Sequence, residues 1–168
     1  MTLANKTVEE IAALDPLSLV ELIATQKHWD SERLSETEMV VEVRGAWSVY
    51  HMYFVWQEDM SALQFCCQFD FRVPNPNRSE VHGLLSMINE RLWLGHFDLS
   101  SEEQLPMFRH NLLMRATELA NAQQIEDVMA IAAAECDRFY PAFQFVLWGH
   151  RSPEDAIAAA LVHTDGKA

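Results

Sequence analysis

The sequence predicts an α+β fold: a five-stranded antiparallel sheet with flanking helices, in the order α-β-β-β-α-β-β-α-α. Three observations carry that expectation. Leu63, Phe65, Cys67, Phe69, Phe71 and Val73 alternate with Gln64, Cys66, Gln68, Asp70 and Arg72, the period-two pattern of a half-buried strand. Ile125, Met129, Ala132, Cys136, Phe139, Phe143 and Val146 keep 3–4 spacing, so the C-terminal third is helical. The extended segments fall into two groups, three before a central helix and two after it.

Taken in order, a helical turn around Val8 to Leu14 precedes the first full helix. Asp15 caps that helix, and Pro16 occupies its first position, where a missing N–H costs nothing. Leu17, Val20, Leu22, Ile23 and Trp29 form its apolar stripe. Met39 to Arg44 is the first strand, with Met39, Val41 and Val43 on one face. Trp47 to Trp56 is aromatic or branched on both faces, which suits a central strand covered twice. Gln57 to Ser61 makes the hairpin turn into the third strand, Leu63 to Val73.

Asn75-Pro76-Asn77 opens the central helix, with Glu80 spaced from Asn77 as in a capping box. Val81, Leu84, Leu85, Ile88 and Leu92 are its buried stripe. Leu92 to Leu99 is extended, with Trp93, Gly95, Phe97 and Leu99 on one side and His96 and Asp98 on the other. Ser100 to Pro106 is a loop, and Met107 to Arg115 is the returning strand. The long helix contains Pro141, and its unbroken phase argues for a kink, with two helices joined there as the alternative. Gly149 ends it, Ser152 to Asp155 caps a last helix carrying Ala156, Ile157, Ala160 and Leu161, and Thr164 to Ala168 is a frayed tail.

The chain has 168 residues, 49% of them apolar and 22% charged, which suits one globular domain over residues 1–168. Its ordered core runs from about residue 7 to about residue 163. The net charge of −13 repels nucleic acid phosphates and anionic membranes, so neither is an expected partner. There is no basic segment followed by an apolar run at the N-terminus, and no apolar stretch of bilayer-spanning length. Three cysteines, two of them adjacent, fit free thiols in a reducing compartment, so a cytoplasmic location is expected.

No catalytic motif is visible. His96, Asp98 and His110 could make a metal or small-ligand sensor, but their spacing matches no closed zinc site, and a hydrogen-bonded structural histidine is the more usual case. Cys136 lies on an apolar helical stripe, where a thiol acts as a small hydrophobe. The acid pairs Glu9-Glu10, Glu102-Glu103 and Glu154-Asp155 suit helix starts and loops, where they oppose the macrodipole. Phosphate loops and a nucleophile elbow are missing, so an enzyme is not expected, and no metal or cofactor is.

The aromatic residues are the better lead. Cys136 to Gly149 reads CDRFYPAFQFVLWG, and Trp47 to Trp56 adds a second dense group. Five strands and one helix layer cannot readily cover so many rings, so part of this surface is expected to be an interface. The candidate contact residues are Trp47, Tyr50, Trp56, Trp93, His96, Phe108, Arg109, Phe139, Tyr140, Phe143 and Trp148, chosen for aromatic mass or for the motifs that follow.

At LWLGHFDL (Leu92 to Leu99), FRH (Phe108 to His110) and DRFYPAFQFVLWG (Asp137 to Gly149), the chain resembles the YbjN-domain family, bacterial proteins described as sensory transduction regulators. The likeness is strongest from Val73 to Leu161, and His150 stands where a second glycine is expected. The resemblance implies a single YbjN-like domain with a fold similar to type III secretion chaperones, which are acidic cytoplasmic homodimers holding extended client polypeptides. It transfers no catalytic residue. The expected function is therefore a non-enzymatic regulator or adaptor that binds other polypeptides, self-associates as a homodimer, and acts in sensory or stress signalling. The alternative is the His/Asp-based sensor.

Overall fold

A computed structural model of the chain describes residues 15–114 and 118–165. The turn expected at Val8 to Leu14, the pair Glu9-Glu10, Arg115 and the last three residues lie outside them. The elements are α1 (Pro16–Gln26), β1 (Asp30–Arg33), β2 (Glu38–Arg44), β3 (Val49–Gln57), β4 (Ala62–Gln68), α2 (Arg78–Asn89), β5 (His96–Leu99), β6 (Pro106–Leu113), α3 (Glu118–Leu147) and α4 (Pro153–Asp165). The fold is α+β, but the sheet has six strands, not five, in the order β1-β2-β3-β4-β6-β5, and every neighbouring pair is antiparallel.

The additional strand is β1, Asp-Ser-Glu-Arg. It has no hydrophobic pattern and is exposed along almost its whole length. Pairing with β2, Asp30 opposite Glu42 through Arg33 opposite Met39, makes it a strand. It follows α1 closely, and α1 itself stops three residues short of Trp29. His28 takes a left-handed φ of 56°, and the Trp29 N–H returns to the Ala24 carbonyl, the closure that ends a helix. At the start of α1, the Asp15 carboxylate accepts from the N–H of Leu17 and Ser18, at 3.0 and 3.1 Å.

Burial alternates residue by residue along β2, β3 and β4, so only one face of the sheet is covered. This corrects the expectation that the central strand is covered twice: Tyr50, Met52 and Phe54 are buried, whereas His51, Tyr53 and Val55 on the other face are half-buried. All four helices contribute to a single hydrophobic cluster with the inner face of β2 to β6. Phe69 is its aromatic hub, in ring contact with Tyr50, Phe71, Phe97, Tyr140 and Phe143. Buried rings of this kind account for much of a core's stabilisation.

Helix α3 runs unbroken through Pro141. A proline cannot donate to the carbonyl four residues before it. Here that carbonyl belongs to Asp137, and the indole N–H of Trp47 donates to it at 3.0 Å. The Asp137 carboxylate accepts from the Tyr50 hydroxyl at 2.7 Å and the Ala46 N–H at 2.8 Å. The β2–β3 turn is thereby fastened to the helix. Gly45 permits the approach, since a Cβ there would lie 2.2 Å from the Tyr50 ring.

Two local expectations differ. Asn77 makes no capping bond to the backbone, because a short 3-10 turn, Asn75–Asn77, leads into α2 and the Asn77 amide instead donates to the Glu80 carboxylate at 3.3 Å. The Ser152 hydroxyl does cap α4, accepting the Asp155 N–H at 3.2 Å, and Thr164 is still helical. Among the described residues, no helix is long and apolar enough to cross a membrane.

Candidate protein-interaction site

β6 has eight residues and β5 has four, and this mismatch creates the site. The segment from Leu92 does not stay extended to Leu99. Gly95 takes a φ of +66°, and a Cβ there would lie 2.3 Å from the Phe108 ring and 2.8 Å from the Arg109 carbonyl. Only glycine fits so close an approach at that φ. The reversal turns the chain off the sheet, so β5 pairs with Pro106 to Arg109 and goes no further. It also breaks the expected alternation: Trp93 does not join Phe97 and Leu99 in the core but is 77% exposed.

The gap beside the second half of β6 is a groove of about 670 Å³. Trp93 and Leu94 close one end, His110 to Leu113 form one wall, and Gln124, Asp127, Val128 and Ile131 of α3 form the other. Those four helix residues follow the i, i+3, i+4, i+7 spacing of one helical face. Leu113 is 61% exposed at its rim, and Leu112 is half-buried within it. A second recess of about 540 Å³ lies on the uncovered face of the sheet, between Tyr53, Gln64, Cys66, Arg109 and the loop from Ser100 to Glu102. Asn111 lines both.

The sequence-selected residues separate into two sets. Tyr50, Phe108, Phe139, Tyr140 and Phe143 are buried in the core and offer no surface. Their rings face α3 or the inner sheet, and the Tyr140 hydroxyl is occupied by Asp70 at 3.0 Å. Trp47 is 41% exposed but tied by its indole to Asp137, and Trp56 is partly buried against the core. Trp148 is exposed and meets Phe71 edge-on, away from the groove. Trp93 lines the groove, whereas His96 lies directly opposite Arg109 in the ladder and Arg109 lines the recess on the uncovered face. The Leu94, Leu112, Leu113, Val128 and Ile131 lining escaped sequence reasoning. Its only trace is the Leu112-Leu113-Met114 run, apolar on both faces of a strand.

Arg109 and Asp98 form an ion pair at 3.0 Å, so the guanidinium is already matched. Burial, followed by the charge of His96, lowers the His110 pKa below its usual value. Among the described residues, no group of three His, Cys, Asp or Glu side chains is placed to hold a metal ion. Burial and the neighbouring Cys67 push the Cys66 thiol up to about 11, against the pull of Arg109. At neutral pH that thiol is protonated and a poor nucleophile. Cys136 lies 3.6 Å from Cys67, both fully buried and reduced, and burial raises its pKa too.

No curated protein and no solved structure matches the chain. A family model does match, over residues 16–145, from α1 to within two residues of the end of α3; its description is "Putative bacterial sensory transduction regulator". With more than three-quarters of its length matched, the chain belongs to the YbjN family.

Proposed function

We propose that this protein is a non-enzymatic cytoplasmic regulator or adaptor that works by binding another polypeptide. The observation that carries the reading is the groove beside β6, where Trp93 and Leu113 stay in water beside one face of α3. Contiguous exposed apolar surface of this kind marks protein contact sites more often than chance. The net charge of −13 favours a basic partner. An adaptor role agrees with the family description. Apart from the additional β1, the elements follow the order expected from the resemblance, which supports the proposed kinship to secretion chaperones. The reading includes self-association, for which Trp148, Val162, Met60 and Leu34 supply exposed apolar area outside the groove.

Sedimentation of the purified chain at high micromolar concentration tests self-association, with a dimer expected. Affinity capture tests the adaptor role, comparing the parent chain with Trp93→Ala. A partner is expected to be retained by the parent and lost with the variant while the melting temperature stays put. Retention of every partner by the variant sinks the groove as the contact surface.

A further inference from the structure

The groove has a backbone as well as side chains. In the β4–β6 ladder, the Phe69 N–H donates to the Pro106 carbonyl and the Met114 N–H donates to the Ser61 carbonyl. With the register between them, this fixes which way each β6 residue points. Even-numbered residues, Phe108, His110 and Leu112 among them, direct N–H and C=O toward β4. Met107, Arg109, Asn111 and Leu113 direct theirs away from it. Met107 and Arg109 meet β5. Asn111 and Leu113 meet no strand among the described residues.

The other edges of the sheet are guarded. On the outer side of β5, the Asn89 side chain accepts the Phe97 N–H at 2.7 Å and donates to the Phe97 carbonyl at 3.0 Å, occupying both groups. β1, at the opposite edge, is short and carries Asp30, Glu32 and Arg33, charges that deter strand addition. The two-residue step at Asn111 and Leu113 has neither device.

We infer that the β6 edge at Asn111 and Leu113 accepts an extended strand of a partner polypeptide, apolar at alternate positions and carrying a lysine or arginine toward Asp127. This rests on the adaptor reading and specifies where and how the partner binds. Strand addition satisfies the backbone groups of Asn111 and Leu113, while alternate side chains enter the groove between Trp93 and Val128. The basic residue follows from charge: Asp127 is the acidic residue lining the groove, on a chain of net charge −13. A second copy could pair Asn111 with Leu113 across a two-fold axis. It would bring two Asp127 carboxylates to one groove, so the heterologous strand is favoured there.

The test uses the full chain and three fluorescent peptides: acetyl-Val-Thr-Lys-Thr-Val-Thr-amide, whose Val and Lys side chains share one face of the strand, the same peptide with Glu for Lys, and the Lys peptide N-methylated at alternate residues. Anisotropy reads binding, and amide hydrogen exchange reads the footprint. The Lys peptide is expected to bind and to slow exchange at Asn111 and Leu113. The N-methylated and Glu peptides are expected to bind at least about tenfold more weakly. Leu113→Pro removes the outward N–H but none that β4 needs, and should weaken Lys-peptide binding by about tenfold or more. Should that variant lose its fold, Asp127→Lys serves instead, reversing the preference between Lys and Glu peptides. No protection at millimolar Lys peptide overturns the inference, as does binding indifferent to N-methylation. Concentration-dependent protection without peptide overturns it in favour of a second copy. A captured partner unaffected by Leu113→Pro overturns this placement while leaving the adaptor reading intact; failure to bind any polypeptide sinks both.

Discussion

Two regions of this molecule that both supply candidate contact residues differ sharply in how much of themselves they expose. Asp137 to Trp148 carries the densest run of rings in the chain, and almost all of it is internal. Phe139 and Phe143 stack into the cluster around Phe69 and Phe97, and Asp137 and Tyr140 spend their polar atoms on Tyr50 and Asp70. Trp93 to Leu113 is plainer in composition, yet it leaves a tryptophan, a leucine and a piece of strand edge open to water. The difference teaches that ring density reports how firmly a helix is docked. The place where a strand stops early reports where side chains and backbone are left uncovered.

The comparison breaks most visibly at Phe143. Truncation to alanine removes a fully buried ring and is expected to cost about 3–5 kcal/mol in urea denaturation. A loss below about 1 kcal/mol would mean the aromatic run is not the structural half of the pair. Asp137→Ala comes next, because it leaves the Tyr50 hydroxyl and the Ala46 N–H without their acceptor. A loss of about 1–3 kcal/mol is expected, and the double variant with Tyr50→Phe should be less than additive. Gly95→Ala probes the other region: the left-handed φ alone should cost about 1–2 kcal/mol, and the Cβ contacts with the Phe108 ring and the Arg109 carbonyl add to it. Trp93→Ala should leave the melting curve within about 0.5 kcal/mol of the parent, as befits an exposed residue.

The smallest effect concerns pH. Because burial, with help from His96, lowers the His110 pKa below 6.5, the unfolded chain holds more protons there than the folded one in mildly acid solution. Stability is therefore complete above pH 6.5 and declines as pH falls through that value toward the folded pKa. His110→Gln should flatten this slope in melting experiments between neutral and mildly acid pH. An NMR titration placing the folded imidazole above 6.5 would reverse the sign.

Much of the architecture was legible because local rules and global packing agree. The Asp15-Pro16 start of α1, the alternation in β2 and β4, the stripe of α2 and the phase of α3 across Pro141 all survive in the structure. β1 was not legible, since four polar residues have no reason to extend until β2 offers them an edge. Trp93 was misplaced because a single glycine at positive φ interrupts an alternation that letters alone continue. Tyr50, Phe108, Phe139, Tyr140 and Phe143 went to the core for a further reason. Counting rings assumes a sheet needs little filling, whereas one inner face meeting three helices and α4 behind them absorbs seven large aromatics completely. The groove was hidden because it is made by an ending, and periodicity locates elements better than it locates their ends.

The bond from Trp47 to the Asp137 carbonyl ties two distant positions into a shared fate. Any relative that replaces Pro141 with an ordinary helix former recovers a main-chain donor, and the indole then competes for an acceptor already served. Conversely, losing the tryptophan while keeping the proline strands a polar oxygen beside a greasy turn. The pair should drift through evolution together, each residue the other's licence to be there.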